Sequence, residues 1–299
     1  MLQHEEPLAR SYLARALGVP EAQLALPVAL PDGYTNSSYL GSWAGKQYII
    51  RLPRKEKQVQ MDRYNEYAVY QQILPLGISD EMLFFDPEAG VKVSIFVENA
   101  RSVDPDDPDD VRMAMALLRR LHALTATARV GNMLDDALMY QRGWTPGYRS
   151  RFPDHAQVMQ RVLALRSWLF DPSVKLVLNH GDTYPGNYLV YYENGEKKLR
   201  LVDWESANLC DPLVDVAMFA MTSAYRPAQT DELVRVYDPA LGPEARRRVY
   251  GWVAAIAMMW SNWGEYELCC GADFGDEVTH YIEMAREYLD ILDRMEETR

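Results

Sequence analysis

The chain has 299 residues, 48% hydrophobic and 25% charged, with a formal net charge of −12 and an isoelectric point near 4.9. That balance excludes intrinsic disorder, and it lacks the basic footprint of a protein that binds nucleic acid or an anionic membrane surface. Three cysteines, two of them the adjacent Cys269 and Cys270, make neither a disulfide framework nor a Cys-x-x-Cys metal site. Met1–Glu6 lacks the basic-then-apolar order of a signal peptide, and the apolar run Trp252–Trp260 is too short to span a bilayer. A cytoplasmic protein with reduced thiols and no membrane insertion is expected.

In chain order, a helix through Leu17 gives way to strand signals from about Leu24 to Leu52. These are Tyr39-Leu40, Ser42-Trp43, a turn at Ala44-Gly45, and Gln47–Leu52. Arg63–Ile73 reads as a helix with Tyr67, Tyr70 and Ile73 on one face. Leu83-Phe84-Phe85, a turn at Ala89-Gly90 and Val91–Val97 read as a hairpin. The acidic run Asp104–Asp110 reads as a solvated loop whose last Asp caps a helix, with Val111, Met115, Leu118, Leu121 and His122 at helical spacing. Further helices are predicted at Gln157–Phe170, Pro212–Tyr225, Pro243–Glu267 and Glu277–Glu296, with a hairpin stretch between Leu176 and Val202. The expectation is an α+β chain, with a strand-rich part over residues 1–97 and a mainly helical part over residues 98–299.

The chemistry concentrates in the hairpin stretch. Within Leu176–Val190, an apolar strand enters a polar Gly/Pro loop, His180-Gly181-Asp182 followed by Asn187, and a second apolar strand leaves it. His-x-Asp with Asn five residues on resembles the protein-kinase catalytic loop, with Gly181 where those enzymes have Arg. Phosphoryl transfer needs such a pair, a carboxylate for the hydroxyl proton and an amide oxygen for magnesium. A second strand, Leu199–Val202, then ends in Asp203-Trp204-Glu205, the place of the kinase magnesium Asp. Asp182 is thus the candidate base, and Asn187 and Asp203 are the candidate magnesium ligands. The competing reading is two strand-end aspartates that cap loops. His180 reads as a packed, hydrogen-bonded residue.

Together these motifs resemble the aminoglycoside phosphotransferase and choline kinase superfamily, in its bacterial choline/ethanolamine kinase branch. The resemblance extends over Gly33–Tyr39 with Tyr48–Pro53, over Val91–Ala100, and over Trp260–Trp263 with Gly271–Gly275. It implies a protein kinase-like two-lobed fold, with an antiparallel-sheet N-terminal lobe and a mainly helical C-terminal lobe, and ATP and Mg2+ as nucleotide and metal. Thr35, Asn36, Ser37 and Ser38 would then hold phosphate oxygens through backbone amides and hydroxyls. Arg51 would supply the fixed positive charge, oriented by Glu66; the alternative for Arg51 is a surface strand position. The backbone at Ile95, Phe96 and Val97, in a hinge at about residues 95–100, would read adenine edge-on. Asp215 resembles the carboxylate that ties down the catalytic loop, and Asp211 also reads as a helix cap. Glu205 would serve the second metal, its water shell or the substrate side.

Members of that superfamily phosphorylate many alcohols, so the acceptor must be read from the pocket. Trp260 and Trp263 lie one helical turn apart, with Tyr184 and Tyr281, and further Tyr225 and Tyr266, as aromatic candidates. Aromatic faces hold an ammonium group, which points to a small cationic alcohol; two Trp on one apolar helix face are also ordinary core. One departure stands out: Met218–Ser223 has none of the carboxylates that choline kinases tend to place near the cation. Choline or a related amino alcohol ranks first, and an aminoglycoside or other small alcohol next. A non-catalytic nucleotide-binding scaffold is the alternative of a different class. A hydrolase built on His180 and Asp182 lacks the further His ligands it needs.

Overall fold

The structure, a computed structural model, describes residues 5–31, 33, 35–54 and 61–297. Met1–His4 and Tyr34, both part of stretches read above, lie outside the described residues. In chain order the strands are β1 (Val28–Ala29), β2 (Asn36–Trp43), β3 (Lys46–Pro53), β4 (Met82–Asp86), β5 (Val91–Ile95), β6 (Arg101–Ser102), β7 (Val177–Asn179), β8 (Tyr188–Glu193), β9 (Glu196–Leu201) and β10 (Asn208–Cys210). The helices are α1 (Glu6–Leu17), α2 (Arg63–Ile73), α3 (Pro108–His122), α4 (Met133–Arg142), α5 (His155–Ala164), α6 (Arg166–Leu169), α7 (Leu213–Thr222), α8 (Pro227–Tyr237), α9 (Pro243–Cys269) and α10 (Asp276–Glu297).

The chain divides into two compact units, each built from two segments. One is residues 1–102 with 186–207, and the other is 103–185 with 208–299. The division therefore falls a few residues beyond the one expected at Val97, and the β8–β9 hairpin packs with the strand-rich unit rather than with the helices.

The strand-rich unit is an antiparallel sheet in the order β1-β2-β3-β5-β4. Its β2–β3 turn places Ala44 and Gly45 at positive φ, the conformation that a two-residue hairpin of matching twist requires. Alternation sends Tyr39, Tyr48, Ile50, Leu52, Val91 and Val93 to one face, where they bury against Ala9, Leu13 and Ala14 of α1. Gly41 permits that contact, since a β-carbon there would meet Leu13 Cδ2 at 2.5 Å. Residues of opposite parity, among them Ile49, Arg51, Lys92 and Ser94, line a cavity. A second sheet, β6-β8-β9, joins through Leu201, whose N–H donates to the Ile78 carbonyl at 2.7 Å.

The helical unit surrounds α9, whose residues from Arg248 to Met259 are all buried, with α4, α7 and α10 as its main neighbours. A helix apolar on all sides is a core helix. No helix among the described residues is long and apolar enough to cross a membrane. Several elements differ from the sequence reading. The stretch predicted as one helix from Gln157 to Phe170 breaks at Leu165 into α5 and α6, and the carbonyls of Trp168 and Leu169 at the end of α6 accept from the Arg248 guanidinium. In the acidic run the cap is Asp107, which accepts from Asp109 N at 2.9 Å. Asp110, the last of the run, turns inward, is fully buried, and accepts from Asp104 N at 2.9 Å. β7 pairs with β10, so the Leu176–Val202 stretch holds one hairpin, β8–β9, turning at Asn194-Gly195.

Candidate active site

In the strand-rich unit β3 carries Arg51 into the cavity wall, and α2 brings Glu66 beneath it. Arg51 Nη1 lies 2.7 Å from Glu66 Oε1 and 3.2 Å from Asp203 Oδ1. Burial works against the charge of Arg51, but Glu66, Asp203 and Glu205 overcome it, and its pKa rises above the usual value. Its Nε and Nη2 are buried without a hydrogen-bond partner among the described residues. Two desolvated donors on a fixed cation are costly unless an anion completes them.

β9 ends at Leu201, and Asp203 follows in the left-handed region at φ 70°. The N–H of Val202 donates to the Asn187 carbonyl at 2.9 Å, which seats Asn187 beside Asp203. Both face the same cavity as Arg51, a space of about 400 Å³. The Asp203 carboxyl is pushed up to about 7, first by burial and then by the charge of Glu205, against the pull of Arg51. Its side chain is still 36% exposed, so the group is an acid in a charge-crowded wall with one side open. That is the donor set a hard divalent cation suits, an amide and a carboxylate oxygen with nucleotide oxygens for the rest. Among the described residues no cluster of three or more His, Cys, Asp or Glu is arranged to hold a metal unaided.

Three sequence expectations need correction here. Thr35, Asn36 and Ser38 line the cavity, but alternation along β2 sends Ser37 to the face of Tyr39. Ile95, Phe96 and Val97 also line it, yet two of their amides are taken: Ile95 N donates to the Glu81 carbonyl at 2.9 Å and Phe96 N to the Gln47 carbonyl at 3.0 Å. Glu205 is not among the residues that line the cavity. It is 7% exposed, and its oxygens accept from Thr35 Oγ1 (2.6 Å), Asn36 Nδ2 (2.9 Å) and Arg63 Nη1 (2.7 Å). Arg63 escaped the sequence reading, although its place three residues before Glu66 at the start of α2 was a usable signal.

In the helical unit, β7 leads into His180–Thr183, and Asp215 in the first turn of α7 holds that loop. Its carboxylate accepts from His180 N (2.8 Å) and Gly181 N (2.9 Å), its carbonyl accepts from Thr183 Oγ1 (2.6 Å), and His122 Nε2 lies 3.1 Å away. Gly181 has φ 80°, a conformation open to glycine, which accounts for glycine where protein kinases carry Arg. His180 is fully buried and its Nδ1 accepts from Asp182 N at 3.2 Å, so it is a packed residue. Asp211 receives Leu213 N at 2.9 Å and also ties to Arg248 and Trp252 of α9.

Aromatic side chains gather in the same unit. Trp260, partly buried, meets Trp263 edge-on at 5.0 Å and Tyr281 at 6.2 Å. Tyr281 is pushed up to about 12, mainly by burial and then by the charges of Glu277, Asp182 and Tyr184, so it stands within electrostatic reach of Asp182 and Tyr184. Tyr184 is 50% exposed. Trp263 is nearer to core, 9% exposed and packed on Phe274 at 4.6 Å. The indole N–H of Trp260 points at Met218 Sδ, 3.4 Å away, in the α7 stretch that lacks the expected carboxylate. Tyr225 and Tyr266 stand apart from the group: Tyr225 donates to the Pro105 carbonyl, and Tyr266 packs on Tyr140.

Comparison with known proteins decides the family. The profile of the phosphotransferase enzyme family matches residues 28–252. The chain belongs to this phosphotransferase family. The matched stretch starts at β1 and stops within α9, short of Trp260, Trp263 and Tyr281. A crystal structure of the choline kinase LicA from Streptococcus pneumoniae superposes with a TM-score of 0.80 at 21% identity, covering 96% of this chain and 99% of that one. A LicA crystal structure in complex with AMP gives 0.81 at 20% identity, covering 97% and 99%. The protein LicA of Haemophilus influenzae is 23% identical over 284 residues, 90% of this chain and 82% of its own length. The phosphotransferase thus has a protein kinase-like fold, with an antiparallel sheet toward the N-terminus and helices toward the C-terminus.

Proposed function

We propose that this phosphotransferase moves the γ-phosphoryl group of ATP onto the hydroxyl of choline or a related amino alcohol, with magnesium. The observation that carries the reading is the wall of one cavity, where Arg51 presents two unpartnered buried donors beside Asn187 and Asp203. An anion with a divalent cation answers both needs at once. Arg51, held by Glu66, grips phosphate oxygens, and the loop residues Thr35, Asn36 and Ser38 border the same space. The open edge of the nucleobase site narrows to Val97 and the hinge carbonyls, since the Ile95 and Phe96 amides are committed. Bound at Asn187 and Asp203, magnesium supplies positive charge to the nucleotide phosphates. The LicA complex with AMP supports a nucleotide in this fold.

On the acceptor side, Asp182 takes the hydroxyl proton through its carboxylate. Its loop is rigid because Asp215 holds the flanking amides, which keeps a base in place without solvent reorganisation. Trp260 and Tyr281, with the more exposed Tyr184, offer π faces to an ammonium group near Asp182. Trp263 backs them. An aromatic cage with no carboxylate in the neighbouring Met218–Ser223 favours a quaternary ammonium, and the choline kinase among the structural neighbours agrees with that. A soluble nucleotide and acceptor, and free thiols at Cys210, Cys269 and Cys270, suit the cytoplasm.

The test is a coupled nucleotide-turnover screen over choline, ethanolamine, thiamine and several aminoglycosides. Turnover is expected with choline, or with ethanolamine, at a higher kcat/KM than with the others. Turnover of an aminoglycoside alone overturns the acceptor assignment and leaves the kinase. Nucleotide binding with no turnover of any acceptor favours a scaffold.

A further inference from the structure

The strand-rich unit contains a buried polar network whose centre is Glu205, with Arg63 beside it. Asn36, Arg63, Glu66 and Glu205 are each less than one-tenth exposed. Glu205 receives Thr35 and Asn36 from the loop and Arg63 from the start of α2. Arg63 is itself forked: Nη1 also donates to Glu66 Oε2 at 2.8 Å, and Nη2 donates to Asn36 Oδ1 at 2.8 Å. Glu66 therefore presents one oxygen to Arg63 and the other to Arg51. A separate tie, Asn65 Nδ2 to the Ala207 carbonyl at 2.8 Å, holds the same helix to the same segment.

We propose that Glu205 and Arg63 are positioning residues that clamp the phosphate loop, through Thr35 and Asn36, and set the plane of the Glu66–Arg51 pair before the nucleotide arrives. This rests on the nucleotide reading given above. Loops that cover phosphates in protein kinases are glycine-rich and adapt to the ligand. Residues 33–38 here are Gly-Tyr-Thr-Asn-Ser-Ser; from Asn36 onward the chain is β2, fixed by its pairing with β3, and the segment ahead of it, with a single glycine, holds its amides for an anion only when something fixes them. Ordering a loose loop on binding subtracts from affinity, and charge-assisted hydrogen bonds made beforehand remove that cost. The side chains of Thr35 and Asn36 are spent inside the clamp. Among the described residues, phosphate contact then falls to the backbone of Gly33 and Thr35, to Ser38, and to Nε and Nη2 of Arg51.

The clamp is tested first in the protein without nucleotide. Thr35→Val is isosteric and deletes the hydroxyl, which donates to Glu205 Oε1 and accepts from Asn36 Nδ2 at 2.9 Å; Thr35→Ser keeps it; Glu205→Ala removes the hub. Amide hydrogen exchange over residues 33–38 is expected to accelerate by about tenfold in Thr35→Val and Glu205→Ala, with Thr35→Ser close to wild type. Unchanged exchange in both variants overturns the clamp, whether or not nucleotide binds. Steady-state kinetics then test its purpose. Each of the two variants is expected to raise the nucleotide KM by about tenfold, and the double variant no further than the worse single, with the acceptor KM held within about twofold. A double variant near one hundredfold means that Thr35 grips phosphate on its own, and overturns the clamp. Faster exchange with a lowered Tm but an unchanged nucleotide KM shows a structural staple and overturns the positioning role. A wild-type loop that is slow to exchange in a protein that binds no nucleotide overturns the kinase reading and, with it, the positioning role.

Discussion

Asp182 and Asp203 are both carboxylates after short strands, and their surroundings differ. Asp182 follows a loop whose His180 and Gly181 amides donate to the Asp215 carboxylate, whereas Asp203 sits beside Arg51 with its carboxyl pushed up to about 7. Asp182→Asn keeps the shape and removes the proposed base, so kcat is expected to fall by about 10²–10⁴-fold while nucleotide binding persists. Isothermal titration with a non-hydrolysable nucleotide, beside steady-state assays, separates the two effects; near-normal turnover would rule Asp182 out as base. Asp203→Ala is expected to lose turnover by another route, through a weakened response to magnesium. Gly181 bears on the first of these proposed roles. At φ 80° a β-carbon is strained, so Gly181→Ala is expected to cost about 1–2 kcal/mol and to lower kcat, because the strain lies one residue from the proposed base. A Gly181→Ala protein with the Tm and kcat of the original would show that the loop has room to relax.

At the scale of elements, regular pattern was the readable part. The alternation in β2, β3 and β5 and the turn at Ala44-Gly45 place the first sheet, and the all-apolar stretch of α9 marks its burial. Helices α4 and α8 went unread although their start signals are present. Asn132 caps α4 by accepting from Leu134 N, and Pro227 opens α8 with Gln229 reaching back to Arg226 N. What no local pattern carries is partnership at a distance. Glu205 is 170 residues from Thr35 and 142 from Arg63, so nothing near Asp203-Trp204-Glu205 tells that its carboxylate faces inward. The amides of Ile95 and Phe96 likewise vanish into bonds with Glu81 and Gln47 that depend on sheet register. Close helix approach is another fact of this kind. Gly264 of α9 lies against α10, where a β-carbon would meet Val278 Cγ2 at 2.3 Å. Gly264→Ala is therefore expected to destabilise by about 1–3 kcal/mol, read as a lower denaturant midpoint at unchanged slope. A loss below the scatter of the measurement would mean that α10 shifts aside freely.

For the molecule as a whole, a net charge of −12 sets a problem for any enzyme that binds a nucleotide triphosphate. The field repels the nucleotide, and the cations near its cavity are already engaged: Arg51 with Glu66, Arg63 with Glu66 and Glu205, and Lys92 with Asp80 at 2.7 Å. Two donors of Arg51 remain for an anion, which is little against several phosphate charges. The carboxyl of Asp203 adds to the repulsion when it ionises, unless a divalent cation stands between it and the nucleotide. Nucleotide and magnesium should therefore stabilise the protein together far more than either does alone. At a ligand concentration of about one hundred times Kd, linkage gives about 2.7 kcal/mol, and for a chain of this size that raises Tm by about 5 °C. Scanning calorimetry is the measurement, with chelation by EDTA as the control. Adding EDTA is expected to abolish most of the shift, and Arg51→Ala to reduce it with magnesium present. An equal shift with and without magnesium would mean that Asn187 and Asp203 hold no metal and that Arg51 alone carries the phosphates.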